Sequence, residues 1–163
     1  MRRVPTSVEN ASSLAEEWGF VGSWSITVFE TEGPPTRALY TMGAGGTLVT
    51  AEHPVVTPSG APGAIFTSSG HGAWRASGLN EALFTYVGLG SDSYGNLFAV
   101  VTFRGSLVLG ADQHTLKGEM TAGIDDPQGT TMATFPMTLE GTRIIAETSR
   151  VPSTGAPIPV SGL

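Results

Sequence analysis

The sequence contains no cysteine, a single lysine and few charged residues of any kind. The absence of cysteine excludes disulfides, thiolate metal ligands and thiol catalysis. Charged residues make up 13% of the chain, the formal net charge is -6, and Lys117 is the only lysine. Because no basic stripe is present, we expect no nucleic-acid partner and no attraction to an anionic membrane surface.

Long apolar runs are also lacking. No run approaches the roughly 18 apolar residues of a transmembrane helix. The first residues, MRRVPTSVENASSLAEEWG, carry two arginines without a following apolar stretch, so no secretory signal peptide is predicted. We therefore expect a cytoplasmic protein. The preference for Arg over Lys and the many Ala, Gly and Pro residues favour a bacterial source with a GC-rich genome.

The chain is rich in turn residues that separate short alternating segments. It contains 22 glycines and 11 prolines. Alternation of apolar and polar residues predicts eight strands, near residues 20–30, 36–43, 46–52, 71–78, 81–89, 96–110, 114–123 and 130–145. Most links are short turn sequences such as SDSYGN and DDPQGT, so successive strands should pair antiparallel. The pattern predicts an all-β, eight-stranded antiparallel up-and-down barrel, with a sandwich as the alternative.

A short helix is predicted before the first strand, at residues 6–18. Thr6 and Glu9 fit a capping box, and the apolar residues up to Trp18 fall on one face at helical spacing. A lone helix of this length is marginal in water, so it should dock on the barrel. We expect it to cover the open end together with the Pro-, Gly- and Ser-rich loop at 53–70, which is long for a barrel connection.

The predicted domain organisation is simple. Residues 1–150 form one domain, with the barrel at 20–145. Residues 151–163, VPSTGAPIPVSGL, lack periodicity and are expected to form a flexible tail.

The stretch GSW, residues 22–24, lies at the start of the first predicted strand. Here the sequence resembles the lipocalin-like (calycin) barrels, whose first strand carries Gly-x-Trp. The resemblance implies that an arginine of the last strand packs over this Trp and closes the base of the barrel, and Arg143 in LEGTRII stands at the matching place. An arginine over an indole is a cation–π contact of about 0.5–2 kcal/mol. The alternative is that Trp24 is an ordinary core residue.

The interior of the barrel is predicted to be apolar, with no inward carboxylate or histidine. Alternation places Met, Phe, Tyr and Val side chains inward, mixed with small residues. We expect the glycines and alanines to leave room for a small ligand, with a completely filled barrel as the alternative. The candidate substrate-binding residues are Met42, Trp74, Phe84, Phe103, Met120, Phe135, Met137 and, at the barrel mouth, His71.

No motif for phosphoryl, acyl or metal chemistry is present. The three histidines, His53, His71 and His114, are dispersed, so no metal site and no cofactor are predicted. Tyr40 and Tyr86 are the candidate catalytic residues, because a buried tyrosine hydroxyl needs a partner that a ligand carbonyl could supply. A backbone carbonyl or a water molecule is the alternative partner.

In architecture the chain looks like small bacterial barrels with an N-terminal lid helix, the spirotetronate and spirotetramate cyclases, although no diagnostic motif is shared. The likeness implies a cofactor-independent Diels–Alder-type cyclase of natural-product biosynthesis, acting on an apolar, polyketide-like substrate. A pericyclic ring closure needs shape and orientation more than acids or bases. The alternatives are a passive binder or carrier of a small hydrophobic molecule and a filled barrel used for protein contacts. The sequence does not specify the substrate or the oligomeric state.

Overall fold

The computed structural model describes residues 19–31, 33–56 and 64–146. Within these residues the chain forms ten strands and no helix: β1 (Gly22–Glu30), β2 (Thr36–Met42), β3 (Thr47–Glu52), β4 (Val55–Val56), β5 (Ile65–Thr67), β6 (Gly70–Gly78), β7 (Glu81–Ser91), β8 (Leu97–Leu109), β9 (Thr115–Asp125) and β10 (Thr131–Arg143). The helix predicted at 6–18 and the tail predicted at 151–163 lie outside the described residues.

Eight long strands form a closed antiparallel barrel. Their order is β1-β2-β3-β6-β7-β8-β9-β10, and β10 returns to pair with β1. The predicted fold is therefore confirmed, and the sandwich alternative is wrong. The strand ends nearly coincide with the predicted ones because turn residues fix them: Asn80 and Gly95 take the positive φ angles, 60° and 83°, that tight turns need.

Part of the segment predicted as a long loop is ordered as sheet. β4 pairs with β5, and β5 pairs with the end of β7, so the two short strands prolong the barrel wall beyond β3 and β6. The Ser68 amide donates to the carbonyl of Leu89 at 2.9 Å, which ties the break between β5 and β6 to β7. The rest of the segment, 57–63, lies outside the described residues.

Most of the side chains that alternation places inward are buried, among them Met42, Trp74, Phe84, Met120 and Met137. The buried side chains of the barrel form one cluster, in which Trp24, Tyr40, Tyr86 and Phe20 are the largest fully buried residues. The rows are completed by Ala82 and Phe84 of β7, Leu107 and Leu109 of β8, Leu116 and Met120 of β9, and Met137 and Leu139 of β10.

The barrel is closed at the end where β1 begins. Trp24 and Arg143 are direct partners of the β1–β10 ladder, and the guanidinium carbon lies 4.2 Å from the centre of the indole ring. Arg143 also donates hydrogen bonds to the carbonyls of Gly19, Val21 and Gln113. This is the arrangement that the resemblance to lipocalin-like barrels implies, and it fastens the segment before β1 and the β8–β9 turn to β10.

Gly22 is needed for this closure for two reasons. Its φ of 137° is a conformation that residues with a side chain rarely adopt. In addition, a Cβ at this position would lie 2.8 Å from Nη1 of Arg143. The glycine of the GSW stretch therefore leaves the space that the guanidinium occupies.

Candidate ligand site at the open end of the barrel

The half of the barrel next to Trp24 is tightly packed, although glycines lie on its inward rows. A Cβ at Gly105 would lie 2.7 Å from the Cβ of Met120, and one at Gly118 would lie 2.9 Å from a methyl carbon of Leu107. The expectation that these glycines leave room for a ligand is therefore wrong. In a barrel of eight strands the interior is narrow, and large neighbouring side chains use the space that each glycine provides.

The opposite half is less tightly packed. Several of its inward positions are only half-buried, and Phe135 is 49% exposed, although Gly90, Ala99 and Ala122 on the same rows are buried. A Cβ at Gly88 would meet nothing closer than the carbonyl oxygen of Ser68 at 4.0 Å. We call this region the mouth, and its residues are Gly88, Val101, Phe103, Ile124, Ala133 and Phe135.

Strand pairing brings the mouth residues together. Val101 is paired with Ile124, which is paired in turn with Ala133. One step deeper, Ala122 lies between Phe103 and Phe135 in the same way. The small Ala122 thus separates the two phenylalanines on an apolar part of the interior.

A chain of polar side chains lies beneath the mouth. The hydroxyl of Tyr86 donates to Oε1 of Glu52 at 2.6 Å, and the hydroxyls of Tyr40 and Tyr86 are 3.0 Å apart. The hydroxyl of Tyr40 also lies 3.8 Å from the sulfur of Met120. The structure thus brings together both candidate catalytic tyrosines and Met120.

Glu52 was missed by the sequence analysis, and the expectation of an interior without a carboxylate is wrong. Leu48, Thr50 and Glu52 share the inward face of β3. The side chain of Glu52 enters the barrel opposite Ala38 of β2, a small residue. The available signal was the period of two from Leu48, but Val49 and Ala51 make the other face of this strand apolar as well.

Tyr86 is held by aromatic neighbours and by a glycine. Its ring stacks on Phe103, with centres 4.5 Å apart, and more loosely on Phe84 at 6.0 Å. A Cβ at Gly70 would lie 2.6 Å from the Tyr86 ring, so this glycine allows the ring to lie against β6. The hydroxyl that reaches Glu52 is thus carried on a rigid support.

Burial is the largest cause of the pKa shifts of Tyr40, Tyr86 and Glu52. It raises the pKa of Tyr40 and of Tyr86 well above the ordinary value, so both hydroxyls stay protonated as donors. Burial also raises the pKa of Glu52, and the charge of Glu30 adds to the increase, whereas the hydrogen bond from Tyr86 opposes it.

The other candidate residues lie elsewhere in the barrel. Met42 and Trp74 are buried at the closed end, where the indole Nε1 donates to the carbonyl of Gly43 at 3.0 Å and the ring packs on Phe20. Phe84 and Met137 are buried in the wall below the mouth.

His71 does not join the interior residues. It lies between Gly70 and Gly72 on the outward face of β6, where it is exposed. Its predicted place at a ligand site inside the mouth is therefore wrong, because alternation along β6 directs Trp74, and not His71, inward.

The outer wall of the barrel is separate from the mouth. Shallow clefts occur on its outer wall, for example the one lined by Thr102, Arg104 and Thr121, and they do not connect with the polar chain. In the part of the chain that the structure describes, no three His, Asp or Glu side chains are grouped so that they could hold a metal ion. The described residues also contain no helix that is long and apolar enough to cross a membrane.

Comparison with known proteins gives only distant likenesses. No protein-family model matches the chain, and no curated protein matches it. Among solved structures it is similar to a redesigned β-barrel, with 17% identity over 80% of this chain and 96% of that chain and a TM-score of 0.49. It is also similar to the redesigned β-barrel mFAP1 bound to DFHBI, with 15% identity, coverage of 78% and 98%, and a TM-score of 0.48. Because these values are low, nothing about the ligand of this chain follows from them.

Proposed function

We propose that this barrel binds a small, largely apolar molecule in its mouth. The observation that carries the proposal is the half-buried apolar surface formed by the mouth residues, with a hydrogen-bonded polar chain directly beneath it. Ligand sites are typically concave and mostly apolar, with a few fixed polar groups that orient the ligand. The mouth is apolar and has fixed polar groups beneath it, whereas neighbouring side chains fill the space at the glycines of the packed half.

Binding of Nile red, a neutral dye whose fluorescence rises in apolar surroundings, tests this proposal. The dye should bind the protein, and Gly88→Leu should weaken binding because the new side chain would enter the open space above Tyr86. The matched control is Val87→Leu, which adds bulk at the neighbouring position on the outer face of β7. Unchanged dye binding by Gly88→Leu would show that the mouth is not the site.

A cofactor-independent cyclase is the second candidate function, and the position of Tyr40 favours it. One of the two acceptors within reach of its hydroxyl is the sulfur of Met120, a weak acceptor. Tyr40 is 1% exposed in the free protein, so a polyketide-like substrate must displace Met120 before this hydroxyl can turn to its carbonyl and stabilise the developing charge. Loss of one such donor lowers rates by roughly 10²–10³, so Tyr40→Phe should slow turnover of a linear diene–dienophile substrate by up to that factor. The cytoplasmic location and the bacterial source remain predictions.

A further inference from the structure

The open end of the barrel carries acidic groups. Glu52 lies beneath the mouth, Glu30 ends β1 at the rim, and Asp92 and Asp126 lie in turns at the same end. Within residues 19–31, 33–56 and 64–146, Arg143 closes the opposite end, and Arg75, Arg104 and Lys117 lie on the outward faces of the strands. Arg37, near the start of β2, is the one basic residue of these ranges at the open end of its strand, and it too faces outward. The field at the mouth therefore attracts cations.

Glu52 accepts one short hydrogen bond. Its 2.6 Å separation from the Tyr86 hydroxyl is in the range of a charge-assisted O–H···O⁻ bond. Among the described residues no second hydrogen bond to this carboxylate is found, and its side chain is only half-buried. The other carboxylate oxygen is therefore available to a group that enters through the mouth.

A second polar atom near Glu52 is unsatisfied. Thr50 faces inward two residues before Glu52, is 1% exposed, and its hydroxyl has no hydrogen-bond partner in the described part of the chain. It lies opposite Tyr40 in the β2–β3 ladder. A buried hydroxyl without a partner costs free energy. The oxygen is closed to solvent in the free protein, so a hydrogen-bond donor on a ligand removes that cost only by displacing neighbouring side chains.

We infer that the ligand is an apolar molecule with a cationic amine, whose ammonium group binds Glu52 and donates to the hydroxyl of Thr50. The apolar body lies against Phe103 and Phe135. An ammonium has several donors and no acceptor, which suits a site that presents two free acceptors. The inference rests on the proposed function, since it places the head group beneath the same mouth.

Three competitors with one apolar body and different head groups test it: phenylbutylamine, phenylbutanol and phenylbutanoate, each titrated against bound Nile red. The amine should bind about tenfold more tightly than the alcohol, which corresponds to one charge-assisted bond, and the carboxylate should bind most weakly. Glu52→Gln should remove the advantage of the amine and leave the affinity of the alcohol. Glu119→Gln, which removes one charge on the outer face of β9, should keep the advantage.

The pH dependence of binding gives a second readout that needs no variant. The titratable groups around Glu52 are Tyr40, Tyr86 and Glu30, and His53 follows it with Nδ1 bonded to the carbonyl of Val55 at 2.6 Å. Because the amine needs the ionised carboxylate, its affinity should fall as the pH drops through the pKa of Glu52. The affinity of the alcohol should fall less.

The outcomes separate this inference from the proposed function. Equal affinities for the three compounds, or an amine preference that survives both Glu52→Gln and acidic pH, would overturn the inference and leave the apolar site intact. If neither Nile red nor any of the three compounds binds, the proposed function fails as well.

Discussion

The two ends of the barrel differ in how closely they are packed and in whether their polar groups are hydrogen-bonded. At the closed end, Trp24, Phe20 and Trp74 are almost fully buried, and the guanidinium of Arg143 has a carbonyl acceptor on three sides. At the open end, Phe135 is half-exposed and the hydroxyl of Thr50 lacks a partner in the described residues. We therefore expect the closed end to contribute more to stability than the open end, where unsatisfied groups remain for a ligand.

The largest effect should come from Trp24→Ala at the closed end. Truncating a large buried aromatic residue costs about 3–5 kcal/mol, and here the cation–π contact with Arg143 is lost as well. Phe135→Ala at the mouth should change the free energy of unfolding by less than about 1 kcal/mol. Urea denaturation of both variants measures the contrast. Similar losses for the two would contradict the division of the barrel into a packed half and an open half.

The second largest difference in stability is expected when one glycine in each half is replaced by valine. Gly118→Val would press on Leu107 and Leu139, and overpacking of this kind costs about 1–3 kcal/mol. Gly88→Val should cost clearly less, because its neighbourhood is open. Thermal unfolding of the two variants gives the comparison, and an equal loss would mean that the mouth is as filled as the base.

The two ends should also respond to pH with opposite sign. The pKa of Glu52 is raised above its ordinary 4.5 by burial, so the folded protein binds more protons there than the unfolded chain. Its contribution to stability therefore decreases as the pH rises from about 4.5 through the folded-state pKa. Asp112, in the β8–β9 turn at the closed end, accepts N–H bonds, above all from His114, that lower its pKa, so its contribution is lost as the pH falls below its ordinary 3.8.

Urea midpoints of the wild type, Glu52→Gln and Asp112→Asn across acidic and neutral pH test this difference. The wild type should lose stability relative to Glu52→Gln as the pH rises, and relative to Asp112→Asn as the pH falls. If the curve of Glu52→Gln ran parallel to that of the wild type, Glu52 would not be a buried titrating group.

The closed end could be predicted from the sequence because its residues form a short motif or lie at the end of a predicted strand. Gly22 and Trp24 stand two residues apart, and Arg143 ends the last strand. The inward side chains of β7 to β10 could also be predicted from alternation. Arg104 and Lys117 mark the outer faces of β8 and β9.

The open end could not be predicted to the same extent, because it depends on register between strands. The inward direction of Glu52 is decided by the pairing of Thr50 with Tyr40, because both faces of TLVTAE carry apolar residues and the period of two does not choose between them. The filled spaces at Gly105 and Gly118 depend likewise on neighbours from other strands. The short strands β4 and β5 were not predicted, because the residues between them are rich in Pro and Gly and indicated a loop.

The smallest effect, and the sharpest test of the contrast, is expected from Thr50→Val. The two side chains have nearly the same shape, so packing is kept and only the unsatisfied hydroxyl is removed. Because such a buried group carries a penalty of about 1–3 kcal/mol before compensation, the free protein should become more stable by up to about 1 kcal/mol. The same substitution should weaken binding of phenylbutylamine and leave phenylbutanol nearly unchanged. A variant that is less stable than the wild type, with unchanged amine affinity, would show that the hydroxyl already has a partner and is not held ready for a ligand.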